Sequence, residues 1–128
     1  LAYLDSSAYV KLPLREPELD ALLAELVEWE GYVSSALLGA EAIRVCARYG
    51  EPYAADAQAY LLDMALLPLD DGVLAGAASV GPATLRSLDA LHLATALSVH
   101  DDIGIFITYD DRLASAAAAS GLRVSSPS

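Results

Sequence analysis

Two rhythms of hydrophobic and polar positions alternate along the chain: short apolar runs closed by Asp, Ser or Gly, and longer stretches with apolar residues at helical spacing. Residues 1–4 form an apolar run that stops at Asp5-Ser6-Ser7, a cluster able to cap a helix, and a further apolar stretch covers 8–12. This is the pattern of a buried strand handing over to a helix. From Pro17, the residues Leu19, Leu22, Leu23, Leu26 and Val27 recur at i, i+3, i+4, i+7 and i+8 with acids between them, which predicts an amphipathic helix with proline in its first turn. A second strand is expected at 31–34, followed by an alanine-rich helix over 36–49 closed by Gly50. Pro52 opens a helix expected to run to about residue 66, with a short strand over 66–69 ending at the turn Asp70-Asp71-Gly72. A small-residue helix over 73–80 is broken by Gly81-Pro82, and a leucine-rich helix follows over 85–100. Residues 103–108 are apolar and β-branched, as a central parallel strand should be. An alanine helix over 112–120 stops at Gly121, residues 122–124 suit an edge strand, and 125–128 are expected to fray.

Strands alternate with helices from end to end, with no repeat, long linker or break in composition. That order predicts an α/β fold, a three-layer α/β/α domain with a central, mainly parallel sheet of four to five strands, and one domain over residues 1–128.

Composition narrows the function. Hydrophobic residues make up 55% of the chain and charged ones 20%, which excludes a disordered acidic tail. Eighteen acids against seven bases leave a net charge of −11, so a broad basic patch for nucleic acid is excluded and a polyanion would need a metal ion or a basic helper to approach. Cys46 is the single cysteine and no Cys/His cluster has zinc spacing. A reducing cytoplasm is the simplest fit, since the start lacks the pattern of a signal peptide and no apolar run is long enough for a membrane span.

Ligands of open parallel sheets bind beyond the carboxyl ends of the strands. Asp5 directly follows the first strand and Asp110 lies two residues after Thr108, so both acids fall on that edge, where either also suits a helix cap. Glu41 sits in an almost wholly apolar helix, with Arg44 and Arg48 at i+3 and i+7 as possible local ion-pair partners. Asp89 interrupts a run of leucines, where an unpaired buried acid would be expensive. Converging carboxylates stay ionised only beside a cation, and hard oxygen ligands select Mg²⁺ or Mn²⁺. Such an ion activates water and stabilises charge on a phosphoryl oxygen.

Four segments carry a resemblance: Tyr3-Leu4-Asp5-Ser6-Ser7-Ala8, Ser35-Ala36 through Glu41 to Val45, Leu88-Asp89-Ala90-Leu91-His92-Leu93-Ala94-Thr95-Ala96, and Thr108-Tyr109-Asp110-Asp111-Arg112-Leu113. Together with Arg15-Glu16-Pro17-Glu18, and in this order, they resemble the PIN-domain family, most closely the VapC-type toxin ribonucleases of toxin–antitoxin pairs. The resemblance implies that Asp5, Glu41, Asp89 and Asp110 form a catalytic, metal-binding quartet with Asp5 as a direct ligand. It implies supporting hydroxyls at Ser6 and Thr108, and a variable outer acid at Asp111. It also implies an RNA substrate cut by a metal-activated water, a homodimer, and a cognate antitoxin whose basic segment covers the acidic groove. Arg44, Arg48 and Arg112 are candidates for phosphate contact; the alternative is that they balance neighbouring carboxylates. His92, three residues after Asp89, reads as a core group or a support for the acids. The competing functions are a PIN-fold nuclease of RNA processing and a silent PIN-like interaction domain. A receiver domain fails because Ser6 stands where a second acid is needed and Lys11 is the only lysine, and a dehalogenase-type phosphatase fails because Ser7 takes the place of its second aspartate.

Overall fold

The pleat of β1 (Ala2–Leu4) sends Ala2 and Leu4 to one side and Tyr3 to the other, and β4 (Ile105–Ile107) divides Ile105 and Ile107 from Phe106 in the same way. All six residues are buried, so both faces of the sheet must be covered. The computed structural model, which describes residues 1–128, shows how. On the Ala2/Leu4 side lie α1 (Ser6–Tyr9), α2 (Lys11–Leu14), α3 (Leu19–Leu26), α4 (Leu37–Ala47) and α5 (Glu51–Leu61), which bury Leu12, Leu22, Leu26, Leu38, Ala42, Cys46 and Ala57. On the Tyr3 side, α7 (Ser87–Ser98) and α8 (Asp111–Ala119) bury Leu93, Ala96, Leu113, Ala116 and Ala117, and α6 (Asp71–Ser79) packs on α7.

The sheet has five strands, all parallel, in the order β3-β2-β1-β4-β5, where β2 is Tyr32–Ser35, β3 Met64–Leu67 and β5 Val124–Ser125. This is the expected three-layer α/β/α fold. β1 is central, in register with β4 through Tyr3 and Phe106, whose rings stack with centroids 5.0 Å apart. Chain order runs outward from β1 to β3 on one side and from β4 to β5 on the other. The carboxyl ends of β1 and β4 therefore flank the switch point where doubly wound sheets open a crevice.

Four expectations shift. The helix from Pro52 ends at Leu61, and the third strand is Met64–Leu67, not 66–69. The free edge of β2 needs partners from Tyr32 to Ser35, and the ladder stops at Pro68, which has no N–H to continue it. The first helix divides into α1 and α2 around Val10. The tail is held down: Thr108 N donates to Ser125 O, Ser126 Oγ to Thr108 O, and the Tyr109 hydroxyl to Pro127 O. Gly50 and Gly121 end their helices with φ of 131° and 91°, conformations that L side chains rarely adopt. No helix is long and apolar enough to cross a membrane.

Gly104, just before β4, lies against the indole of Trp29, and a Cβ there would meet Trp29 Cζ3 at 2.1 Å. Gly104→Ala must push the indole out of its place and off its hydrogen bond to Glu25, 3.0 Å. The expected loss is about 1–3 kcal/mol, as for other overpacked sites. Urea denaturation checks this; a change within 0.5 kcal/mol, the range of ordinary surface substitutions, would show that the ring moves freely.

Candidate active site

Each acid reaches the crevice for a local reason. Asp5 leaves β1 as the N-cap of α1: its Oδ1 accepts from Ala8 N at 2.9 Å and Ser7 Oγ at 2.7 Å. Its Oδ2 accepts from Thr108 Oγ1 at 2.6 Å, which ties the end of β1 to the end of β4. Asp5 is only 3% exposed and its three partners are neutral. Burial pushes its pKa above the ordinary carboxylate range, against the opposing hydrogen bonds from Thr108, Ser7 and Ala8 N. Asp110 caps α8 through Oδ1, which accepts from Leu113 N at 2.9 Å, and presents Oδ2 to the crevice. Asp89 sits in the first turn of α7. Both acids therefore have the cap or helix-start role open to them, and both also face the same space.

That space is a cleft of about 180 Å³ lined by Asp5, Ser6, Ser7, Val10, Val45, Arg86, Asp89 and Asp110. Glu41 stands beside it. Its Oε2 accepts from Ser6 Oγ at 3.3 Å and its Oε1 meets His92 Nε2 at 2.7 Å. His92 is buried, and its Nδ1 is 2.8 Å from the Tyr3 hydroxyl. Burial raises the Tyr3 pKa far above its ordinary value, so the phenol keeps its proton. The phenol and the Glu41 carboxylate thus hold the two ring nitrogens of His92 from opposite sides.

The structure thus brings Asp5, Asp89 and Asp110 to one cleft with Glu41 adjoining, and places Ser6 and Thr108 as hydroxyl supports to Glu41 and Asp5. Asp111 is exposed, outside the cleft, and with Arg112 lines an adjoining opening of about 400 Å³ shared with Arg86, Tyr109 and Asp110. Beyond it a shallow groove of about 820 Å³ continues along α8 past Arg112 and Ser115. The possible local ion pair of Glu41 with Arg44 or Arg48 is not formed: Glu41 meets Ser6 and His92 instead. Arg44, Arg48 and Arg112 are all exposed, and none makes a direct ion pair with a carboxylate. Cys46 is buried in the core, as its apolar setting implied.

Three participants escaped the sequence reading. Ser7 holds Asp5 and also accepts from Tyr109 N at 2.9 Å, a role hinted at by its place two residues after an aspartate. Tyr3 gave no signal beyond an apolar strand. Arg86 bridges two acids, with Nε 3.3 Å from Asp89 Oδ2 and Nη2 3.2 Å from Asp110 Oδ2. Its spacing of three from Asp89 was visible; its reach to Asp110 was not.

A Mg²⁺ or Mn²⁺ site would draw on this all-oxygen donor set. As arranged, no three ligating side chains stand close enough to grip an ion. A positive group already bridges two of the carboxylates, however, since the Arg86 guanidinium donates to one oxygen each of Asp89 and Asp110. The donor chemistry and this stand-in cation fit a divalent ion.

Comparisons with known proteins agree with this fold. The PIN-domain family model matches residues 2–119. The ribonuclease VapC47 of Mycobacterium tuberculosis is 42% identical over 132 residues, covering 99% of this chain and 97% of that protein. The ribonuclease VapC46 of the same species is 46% identical over 126 residues, covering 98% and 97%. Among solved structures, the sarcin–ricin-loop-cleaving toxin VapC20 of M. tuberculosis superposes with a TM-score of 0.75 over 95% of this chain and 96% of that one, at 14% identity, a likeness of fold.

Proposed function

From the premise that the chain belongs to the PIN-domain family, in its VapC-type branch, we propose that it is a Mg²⁺- or Mn²⁺-dependent endoribonuclease, the toxin of a toxin–antitoxin pair, acting as one domain over residues 1–128. The observation that carries the reading is the meeting of Asp5, Asp89 and Asp110, from three separate elements, in one cleft at the switch point of the sheet.

Asp5, Asp89 and Asp110 would hold the ion, and Glu41 would complete the set from beside the cleft. When bound, the ion supplies Lewis acidity to a phosphoryl oxygen and lowers the pKa of water. The chain does the rest. Thr108, Ser7 and the Ala8 amide fix both oxygens of Asp5, so the buried carboxylate cannot rotate away from the cleft. The Tyr3–His92–Glu41 chain fixes the Glu41 carboxylate in the same way. The open groove past Arg112 accepts a single strand, and Arg112, unpaired at its mouth, offers charge to a phosphate. The net charge of −11 disfavours binding through a broad phosphate-contacting surface, and the substrate class that the family resemblance implies is single-stranded or looped RNA. The same acidic cleft suits a basic segment of a cognate antitoxin, and the active unit is a homodimer in a cytoplasmic setting.

The test is purified protein against total RNA. Cleavage at discrete positions is expected with Mn²⁺ or Mg²⁺ and none in EDTA, with return of cleavage on adding the metal back. Undiminished cleavage in EDTA overturns the metal-dependent reading. An RNA-processing role for the same nuclease is separated by the neighbouring reading frame: a small gene for a DNA-binding protein beside this one marks the toxin–antitoxin pair.

A further inference from the structure

Three acids line the cleft, and one cation of the chain serves two of them. Arg86 precedes α7, and its guanidinium straddles Asp89 and Asp110, contacting one oxygen of each. Contact with Asp89 is the ordinary i, i+3 pairing of a helix start. Contact with Asp110, 24 residues away on another element, is not local and sets the guanidinium across the mouth of the cleft. The arginine side chain is 72% exposed while the two carboxylates are 17% and 24% exposed, so it closes over them from the solvent side. Arg86 also lines the outer opening with Arg112, which gives it somewhere to swing.

A bridge this exposed contributes little to stability, and it orders a long side chain to make two single contacts. Its effect is local: it cancels the repulsion between Asp89 and Asp110 when nothing else does. We propose that Arg86 and a divalent cation are alternative occupants of the Asp89–Asp110 pair, with the guanidinium holding both carboxylates in place until the ion takes over and Arg86 turns outward. This rests on the metal-dependent reading above and adds to it a positioning residue that sets how much cation the site requires. In this arrangement no three ligands are gathered to grip an ion, and the guanidinium contacts one oxygen each of Asp89 and Asp110. Its single-contact geometry at each acid, at 3.3 and 3.2 Å, is a hold that a divalent ion can displace.

The experiment is calorimetric titration of the full chain with Mn²⁺, at low ionic strength, for the wild type, Arg86→Gln, Arg86→Lys and Asp89→Asn. Removing the competitor is expected to tighten Mn²⁺ binding about two- to fivefold in Arg86→Gln, the scale of an exposed ion pair. Arg86→Lys, whose point charge reaches one acid at a time, should fall between. In EDTA, Arg86→Gln should melt below the wild type, and Mn²⁺ should raise its melting temperature by more than it raises that of the wild type. If Asp89→Asn loses Mn²⁺ binding but Arg86→Gln binds no more tightly than the wild type, the exchange is overturned and the metal site stands. If the wild type takes up no Mn²⁺ at millimolar concentration, the metal-dependent reading and the exchange fall together.

Discussion

Asp5→Asn is expected to abolish RNA cleavage, by at least the roughly 10²-fold that even an outer support of a metal site is worth, while making the metal-free protein more stable at neutral pH. The two effects share one cause. Asp5 is a buried carboxylate whose pKa is raised by that burial, so the folded protein binds its proton more tightly than the unfolded chain does. In the metal-free protein, stability from this group is greatest at acid pH and falls as the pH rises above its ordinary value of 3.8. Asparagine is neutral throughout, caps α1 as well as aspartate does, and can still meet the Thr108 hydroxyl. Thermal melts in EDTA should show Asp5→Asn above the wild type at pH 7, with the gap closing toward pH 4. A mutant that melts lower at pH 7 would mean that Asp5 serves folding, not the ion; a mutant that cleaves at the wild-type rate would remove Asp5 from the catalytic set.

His92→Leu is expected to cost both stability and activity. The histidine is buried and bridges the Tyr3 hydroxyl to Glu41 Oε1. Leucine fills similar space but takes from the buried phenol its 2.8 Å partner, leaving only the hydroxyls of Ser34 and Thr95 near it, which costs about 1–3 kcal/mol. Cleavage should fall about 10- to 100-fold because Glu41 loses the donor that orients it. Packing alone cannot account for the pattern expected of His92→Gln, whose amide N–H replaces Nε2 and not Nδ1: stability should fall as in the leucine variant, and most of the cleavage should return. Denaturation and cleavage rates measured on the same samples decide this, and parallel loss of both in His92→Gln would reduce His92 to a core residue.

The acids were found by a contradiction within the sequence: Asp89 and Glu41 interrupt apolar helices, and Asp5 and Asp110 end apolar strands. Those are positions where burial demands a reason, and each did lie in or beside the cleft. Arg86 gave no such contradiction, because an arginine three residues before an aspartate is common on any helix start. What distinguishes it is Asp110, which only the packing of α7 beside α8 brings within reach. Arg44 and Arg48 show the opposite error: correct helical spacing from Glu41 suggested a pair, yet the glutamate's partners lie on other elements. Local spacing says which side chains can meet along one helix, and tertiary packing chooses among them and their distant rivals.

Periodicity was enough to establish the alternation of strands and helices, the burial of both sheet faces and the edge on which Asp5 and Asp110 fall, because these follow from backbone geometry and from which residues can be taken out of water. The strand order, the Tyr3–His92–Glu41 chain, the anchoring of residues 125–127 and the guanidinium across the cleft were decided only on folding. Each joins residues far apart in the chain, and such contacts depend on the register of the sheet and the seating of helices against it, for which no local pattern of residues carries the information.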